Sequence, residues 1–276
     1  MSTLSDFNKF TSGLEKKDYI MPVLFIGHGS PMNGIEDNEF SQGWAQMAKE
    51  IPVPAAVLVV SAHWLTEGTM VTAMESPRTI HDFGGFPDAL YQVQYKAPGN
   101  PAIAKETVSL IHVSKASLDH EWGLDHGAWS VVIHMYPNAN VPVLQLSIDY
   151  TRDAQYHFDL AKELYSLRSK GVLIIGSGNM VHNLRMIAWD KMNVPGYGFD
   201  WALQINDQFK QLIRSGDSKS LIAYQNFKES RLAIPTPEHY LPLIYSMGLK
   251  TDKDAVSIFN DKAVAGSITM TSIKFG

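Results

Sequence analysis

The chain has 276 residues, of which 45% are hydrophobic and 18% charged, which is the composition of a globular protein with a sizeable core. Its formal net charge of −5 argues against nucleic acid as a partner, because phosphate is bound by a basic surface. No apolar run is long enough for a membrane helix, and residues 1–20 are too polar for a secretory leader. The lack of cysteine excludes thiolate ligands and thiol nucleophiles, and it predicts a cytoplasmic protein.

Four short apolar runs predict buried strands, because each is rich in Val, Ile and Leu and is bounded by Gly, Ser, His or Asp. Continuous apolar strands are typical of a sheet that is covered on both faces. The predicted strands are residues 21–27, 55–62, 141–148 and 171–178. Two more strands are predicted near the C-terminus, at 254–260 and 267–275, where they would form a closing hairpin.

Helical patterns lie between the strands. The one at 236–249 begins with Thr236 as its cap and Pro237 in the first helical position. The predicted helices are 37–51, 100–114, 151–171, 199–216 and 236–249. This alternation predicts an α/β fold: a single domain over residues 1–276 with a central, largely parallel or mixed sheet flanked by helices. Residues 1–19 are expected to form a peripheral N-terminal segment.

Three histidines follow predicted strands. His28 follows strand 21–27, His63 follows strand 55–62, and His182 follows strand 171–178. Ligands of open α/β sheets bind beyond the carboxyl ends of the strands, so these imidazoles are expected at one edge of the sheet. One histidine near a strand end is usually structural, but three at matching positions favour a functional cluster.

Two further histidines are candidates for the same site. His126 lies in "LDHGAW" beside Asp125, a carboxylate able to orient an imidazole. His239 is predicted in the first turn of helix 236–249, where the helix N-terminus favours a neutral, ligand-competent ring. Its neighbour Glu238 is a carboxylate that could bind the same metal ion, if these histidines hold one. His112 and His157 fall within predicted helices, and His134 falls in the apolar, helix-like segment 128–137, so surface or core roles are expected for all three.

The glycine-rich turns "GHGSPM" and "GSGNMV" do not match the common cofactor or nucleophile motifs. Neither is a phosphate loop with a following Lys-Ser/Thr, and the second lacks the third glycine of a dinucleotide fingerprint. Ser30 and Ser177 also lack the Gly-x-Ser-x-Gly frame of a serine hydrolase. Imidazole and carboxylate ligands without cysteine fit Fe(II), Mn(II) or Zn(II).

Several segments together resemble one family. They are "FIGHGSPMN", "VVSAHW", "TIHDFGGFPDALYQVQYKAPG", "GLDHGAWSVV", "VPVLQLSI", "GSGNMVHNLR" and "TPEHYLPL". In this order and spacing, from about residue 20 to the C-terminus, they resemble the DODA-type (4,5-DOPA) extradiol dioxygenases of the class III, LigB-type superfamily, the bacterial members above all. The resemblance implies a non-haem Fe(II) enzyme that opens a catechol ring next to its two hydroxyls with O2.

The resemblance also implies roles for the histidines. His28 and His63 match two metal ligands, and His239 matches the third, with Glu238 as its rival because many class III relatives use a glutamate there. His126 and His182 match the two acid–base histidines, His182 as the base and His126 as a proton donor during ring cleavage. His182 is also a candidate fourth ligand when Zn(II) occupies the site.

The implied substrates are a small catechol such as L-DOPA and O2, bound by a monomer or small homo-oligomer with no nucleic-acid or membrane partner. Candidate pocket walls are Trp64, His81, Tyr91 and Trp129, the last more simply a core residue. Arg78 and Arg185 are candidate partners for a substrate carboxylate. Two alternatives stay open: a Zn(II)-dependent hydrolase that uses the same histidines, and a non-catalytic metal-binding scaffold.

Overall fold

A computed structural model of the chain describes residues 14–192 and 194–276. Most of the predicted peripheral segment 1–19 therefore lies outside the described residues. Residues 14–19 are irregular, and the Lys17 backbone N–H donates to the Ser169 carbonyl oxygen at 2.7 Å. Within the described ranges, no helix has the length and apolar character needed to cross a bilayer.

Eight strands form one mixed sheet, and two short strands pair separately. The strands are β1 (Val23–Gly27), β2 (Ala56–Thr66), β3 (Thr69–Thr72), β4 (Ala116–Asp119), β5 (Val143–Asp149), β6 (Val172–Gly178), β7 (Val256–Phe259), β8 (Ala263–Val264), β9 (Ile268–Thr269) and β10 (Ser272–Phe275). Their order across the large sheet is β4-β3-β5-β2-β6-β1-β10-β7. The four central strands β5, β2, β6 and β1 run parallel, while β10 and β7 add an antiparallel edge. The central four are the strands predicted from the apolar runs. Because parallel and antiparallel strands share one sheet, the prediction of a mixed sheet is confirmed.

Helices cover both faces of this sheet. They are α1 (Glu39–Glu50), α2 (Asp88–Tyr91), α3 (Pro101–Leu110), α4 (His126–Met135), α5 (Ala154–Glu163), α6 (Tyr165–Arg168), α7 (Asp200–Ser215), α8 (Ser218–Ile222), α9 (Ser230–Ala233) and α10 (Leu241–Leu249). Successive strand residues point to opposite faces, so Phe25 packs in the core beneath α5, α7 and α10, and Leu24 packs in the core beneath α1 and α4. This two-sided burial explains why the central strands are mostly apolar, and in β5 the polar residues Gln145, Ser147 and Asp149 are buried as well.

Three predicted helix boundaries are wrong. The predicted helix 100–114 ends at Leu110, because the Glu163 carboxylate accepts the backbone N–H groups of His112 and Val113, at 2.6 and 3.2 Å, and β4 follows. The predicted helix 151–171 begins only after Asp153, whose side chain caps α5, and Leu164 divides it into α5 and α6. Strands β3 and β4 were not predicted.

The third wrong boundary concerns the helix predicted at 236–249, which begins at Leu241. Pro242 has no N–H for the Glu238 carbonyl, and the His239 carbonyl accepts the Asn179 N–H at 2.8 Å instead of a helical donor. His239 therefore lies in the turn before α10. The predicted C-terminal strand 267–275 is also divided, into β9 and β10, and β10 pairs with β7 as the predicted hairpin requires.

Candidate metal centre

Five histidines reach one edge of the sheet from different elements. His28 follows β1 directly, and its backbone N–H donates to the carbonyl of Gly178, the last residue of β6, at 3.1 Å. His63 lies within β2, which continues to Thr66 rather than ending at residue 62. His126 is the first residue of α4, and His182 lies in the loop after β6. Of the three histidines expected at strand ends, His28 directly follows β1 and His182 lies in the loop after β6, whereas His63 lies inside β2.

Local irregularities aim these side chains. The pairing of β2 with β5 shifts register between Val60 and Leu65, and such an irregularity turns the strand where His63 lies. On the other side, the turn carrying His239 lies against the end of β6. A Cβ atom on Gly178 would lie only 2.1 Å from the His239 carbonyl oxygen, so glycine is what permits this approach.

Three imidazoles converge. One nitrogen from each of His28, His63 and His239 lies within 4.8 Å of the other two, a spacing compatible with one metal ion. His63 Nε2 and His28 Nε2 are 3.1 Å apart. Within the described residues, the Glu238 carboxylate belongs to no such group. Its Oε1 lies 3.4 Å behind His239 Nδ1.

Groups behind the rings decide which nitrogens face the cluster. The Ser177 hydroxyl donates its single proton to the Gly127 carbonyl at 2.5 Å, so it accepts from His28 Nδ1–H at 3.0 Å. A carboxylate oxygen of Asp82 lies 3.4 Å from His63 Nδ1, on the outer side of that ring. With Glu238 behind His239, each ring has a proton acceptor at Nδ1, which leaves the Nε2 lone pairs directed inward.

The three residues fit a metal ion. Two Nε2 lone pairs 3.1 Å apart repel each other unless a cation or proton lies between them. Among the described residues, His239 Nε2 is buried and has no hydrogen-bond partner. A divalent cation would satisfy all three nitrogens at once, and imidazole ligands suit Fe(II) and Zn(II).

The rings are neutral near pH 7. Burial, and then repulsion between the neighbouring imidazoles, lowers the pKa of His28 and of His239 well below the ordinary 6.5. Burial lowers the pKa of His63 to about 3, with His126 adding to the shift and Asp82 opposing it. Neutral imidazole is the form that binds a metal, so metal binding need not displace a proton from these rings.

His126 is held by a carboxylate that sequence reasoning missed. The predicted orienting residue was Asp125, but its Oδ1 caps α4 by accepting the Ala128 N–H at 3.1 Å and also accepts the Ser61 hydroxyl at 2.6 Å. Asp82 contacts the His126 ring instead, with Oδ2 2.9 Å from Nδ1. The only available signal was an acidic residue in the loop "TIHDFGGFPDAL".

His182 lies beside the three-histidine cluster rather than in it. Its ring stacks on that of His239, with centroids 3.6 Å apart and planes 9° apart. Burial lowers its pKa to about 4, with Glu238 opposing the shift, so it too is neutral near pH 7. Within the described residues, its nitrogens are not part of the metal-compatible group.

Aromatic rings flank His126. Phe83, which sequence reasoning also missed, meets the His126 ring edge-on at a centroid distance of 5.6 Å. Three of the four predicted wall residues surround Phe83, namely His81, Tyr91 and Trp129, with centroids 5.2–6.3 Å away.

The other predicted pocket residues lie in less informative surroundings. Trp64 is buried and stacks on Trp122, with ring centroids 5.8 Å apart. Arg78 and Arg185 are both exposed, and Arg78 Nε donates to the Trp122 carbonyl at 2.9 Å. These contacts give neither arginine a position facing the histidine cluster, so their proposed role toward a substrate carboxylate stays a prediction.

The fold and site define an α/β protein with a cluster of three histidines, spaced closely enough to hold one metal ion, at the carboxyl ends of parallel strands. A family model described as the catalytic LigB subunit of aromatic ring-opening dioxygenase matches residues 22–275. The chain therefore belongs to the LigB family, which confirms the resemblance described above.

Curated relatives and a solved structure agree with this assignment. The chain is 45% identical to the 4,5-DOPA dioxygenase extradiol of Escherichia coli (strain K12), over 93% of this chain and 95% of that protein. It is 34% identical to the Beta vulgaris protein of the same name, over 94% of this chain and 98% of that protein. A crystal structure of an uncharacterized Escherichia coli K12 protein, JW3007, superposes with a TM-score of 0.78 at 39% identity, over 93% of this chain and all of that one.

Proposed function

We propose that the protein is a non-haem Fe(II) extradiol dioxygenase that opens the ring of a small catechol, such as L-DOPA, beside its two hydroxyls. The observation that carries the proposal is the convergence of three neutral imidazoles whose inward nitrogens have no proton, with two further imidazoles next to them. The names of the relatives support the same reaction class, since the Escherichia coli and Beta vulgaris proteins are both named 4,5-DOPA dioxygenase extradiol.

His28, His63 and His239 would hold the metal through Nε2. When bound, Fe(II) would supply Lewis acidity toward a deprotonated catechol and the redox coupling between the ring and O2. Three protein ligands leave coordination positions open for substrates, which a closed site would not. In the overall reaction one ring carbon–carbon bond breaks and both oxygen atoms of O2 enter the product, so no external reductant is needed.

Two histidines are placed to move protons. His126 directs Nδ1–H toward Asp82, so its Nε2 has a lone pair able to take a proton and return it. His182 is neutral near pH 7 and can accept a catechol proton at the edge of the cluster. We assign His182 as the base and His126 as the group that returns a proton during ring cleavage. The aromatic rings around Phe83 would exclude water and favour an aromatic substrate.

Oxygen uptake tests the proposal. Protein stripped of metal and reloaded anaerobically with Fe(II) is mixed with L-DOPA or a simple catechol, and O2 is admitted. We expect one O2 consumed per catechol and a coloured semialdehyde product. His28→Ala should abolish uptake, whereas His112→Ala, which changes an exposed histidine after α3, should leave it unchanged.

The alternatives give different results. Iron-loaded protein that consumes no O2 with any catechol contradicts the proposal. Ester or amide hydrolysis by the zinc-loaded protein would then identify a hydrolase, and the absence of both activities would leave the metal-binding scaffold.

A further inference from the structure

The Asp82 carboxylate lies between two of the site's imidazoles. Its Oδ1 accepts the backbone N–H of His126 at 2.9 Å, and its Oδ2 lies 2.9 Å from His126 Nδ1 and 3.4 Å from His63 Nδ1. The His63 and His126 rings are close neighbours, with centroids 3.8 Å apart. One carboxylate therefore contacts a candidate metal ligand and a candidate proton carrier.

The loop that carries Asp82 is tied to α4 and to the segment just before it. The Ile80 N–H donates to the Leu124 carbonyl at 2.7 Å, and Trp129 Nε1–H donates to the Ile80 carbonyl at 2.9 Å. These bonds fix the backbone two residues before Asp82. The carboxylate is consequently held in place by the fold and not only by the rings that it contacts.

Both carboxylate oxygens accept from His126, and this fixes the protonation pattern of that ring. A carboxylate has only acceptors, so the imidazole nitrogen facing Oδ2 must carry the proton. The backbone bond to Oδ1 prevents the carboxylate from turning away. His126 Nε2 is left with a lone pair directed away from Asp82. His63 Nδ1 lies 3.4 Å from the same Oδ2, so the negative carboxylate also favours a proton on that nitrogen.

We propose that Asp82 is a positioning residue that holds His63 and His126 together in the Nδ1–H tautomer, so that one ring binds metal while the other carries a proton. The inference rests on the proposed function for the role of His126 but not for the role of His63. It places a single group in control of two steps, metal binding and proton transfer.

A second metal ion is the competing interpretation, because single ligand atoms of His63, Asp82 and His126 also lie within 4.8 Å of one another. A metal there would replace the proton on His126 Nδ1. The hydrogen-bond lengths at both oxygens of Asp82, one of them to a backbone N–H that cannot bind metal, favour the protonated arrangement.

The first experiment measures tautomers directly. Long-range ¹H–¹⁵N spectra of zinc-loaded protein labelled with ¹⁵N-histidine report which ring nitrogen carries each proton. We expect one zinc per chain and protons on Nδ1 of both His63 and His126. A His126 proton on Nε2 overturns the proposal, as does a second bound zinc with no proton on His126 Nδ1. This arm needs no variant, so misfolding of a mutant does not weaken it.

The second experiment uses Asp82→Asn, which keeps the shape but leaves one oxygen acceptor. With that oxygen on the backbone N–H, the amide NH₂ faces His126 Nδ1 and forces the proton to Nε2. We expect zinc affinity to fall about 10- to 100-fold, the usual effect of losing a group behind a ligand. The kcat for O2 uptake should fall more than about 100-fold with KM nearly unchanged, since the same change behind the histidine of serine proteases lowers kcat about 10⁴-fold.

Asp88→Asn is the matched control, because it removes an exposed carboxylate at the start of α2 and should change none of these readouts. If Asp82→Asn keeps the tautomers, zinc affinity and kcat of the wild type, the positioning role is wrong while the dioxygenase proposal stands. If the wild type consumes no O2 but the tautomers and zinc affinity respond as expected, the proposed function is wrong and the role of Asp82 toward His63 stands.

Discussion

Gly178→Ala should displace a candidate metal ligand without altering any ligand. The added Cβ would lie 2.1 Å from the His239 carbonyl oxygen and 3.1 Å from Pro242 Cγ, whereas ordinary contacts begin near 3.4 Å. The carbonyl must therefore retreat by roughly 1 Å, and the His239 ring moves with it. Overpacking of this kind lowers the free energy of unfolding by about 1–3 kcal/mol. A ligand displaced by about 1 Å should weaken Zn(II) binding at least about 10-fold and lower the O2 uptake rate about 100-fold.

Competition titration of Zn(II) against a coloured chelator measures the affinity, and thermal unfolding of metal-free protein measures the stability. Gly84→Ala is the matched control, because a Cβ there meets no atom within 4 Å and its φ is not in the left-handed region. We expect this control to behave as the wild type. Wild-type zinc affinity in Gly178→Ala would refute the reasoning that the close approach at the end of β6 sets the position of His239.

Three further changes test other parts of the structure. Ser177→Ala removes the acceptor behind His28 Nδ1 and should weaken Zn(II) binding about 10-fold in the same titration; unchanged binding would contradict the tautomer assignment. Burial lowers the pKa of His157 from 6.5 to about 4 in the folded chain, so the unfolded chain binds the proton first. His157 alone should therefore contribute about 3 kcal/mol to the loss of stability as pH drops from about 6.5 to about 4, and urea unfolding of His157→Gln should show a shallower fall than the wild type, equal slopes being the contrary result. Arg168→Met strands the Asp254 carboxylate, which Arg168 binds with two bonds of 2.8 Å, and should cost about 3–5 kcal/mol in urea; a loss below about 1 kcal/mol would show that the pair is not needed.

The central strands and the histidine edge could be predicted because their signals are local. A strand buried on both faces is mostly apolar, and β1, β2, β5 and β6 are all rich in Val, Ile, Leu or Phe and buried along most of their length. The carboxyl ends of parallel strands meet at one edge, so His28 and His63 could be assigned to it before any distance was known. Strands β3 and β4 have only four residues each, too few for a clear pattern.

Other features depend on contacts between distant residues, and the sequence around them holds no sign of the partner. Asp82 bonds to His126 although 44 positions of sequence separate them. Asp125, the sequence neighbour of His126, instead accepts the Ser61 hydroxyl and caps α4. The start of α10 is set in the same way, because Asn179 takes the carbonyl that would otherwise continue the helix toward Thr236. Local pattern cannot distinguish a carbonyl used within a helix from one used by another strand.

The antiparallel edge of the sheet has a consequence for how the protein is made. Strand β1, which ends next to His28, pairs on one side with β10, formed by residues 272–275, and the Gly27 N–H donates to the Ser272 hydroxyl at 3.1 Å. Chains emerge from the ribosome N-terminus first, so β1 leaves it long before either β6 or β10 has been synthesised. The three-histidine cluster can therefore be assembled only after His239 has been synthesised, and the pairing of β1 with β10 that supports His28 can form only after residues 272–275 have followed.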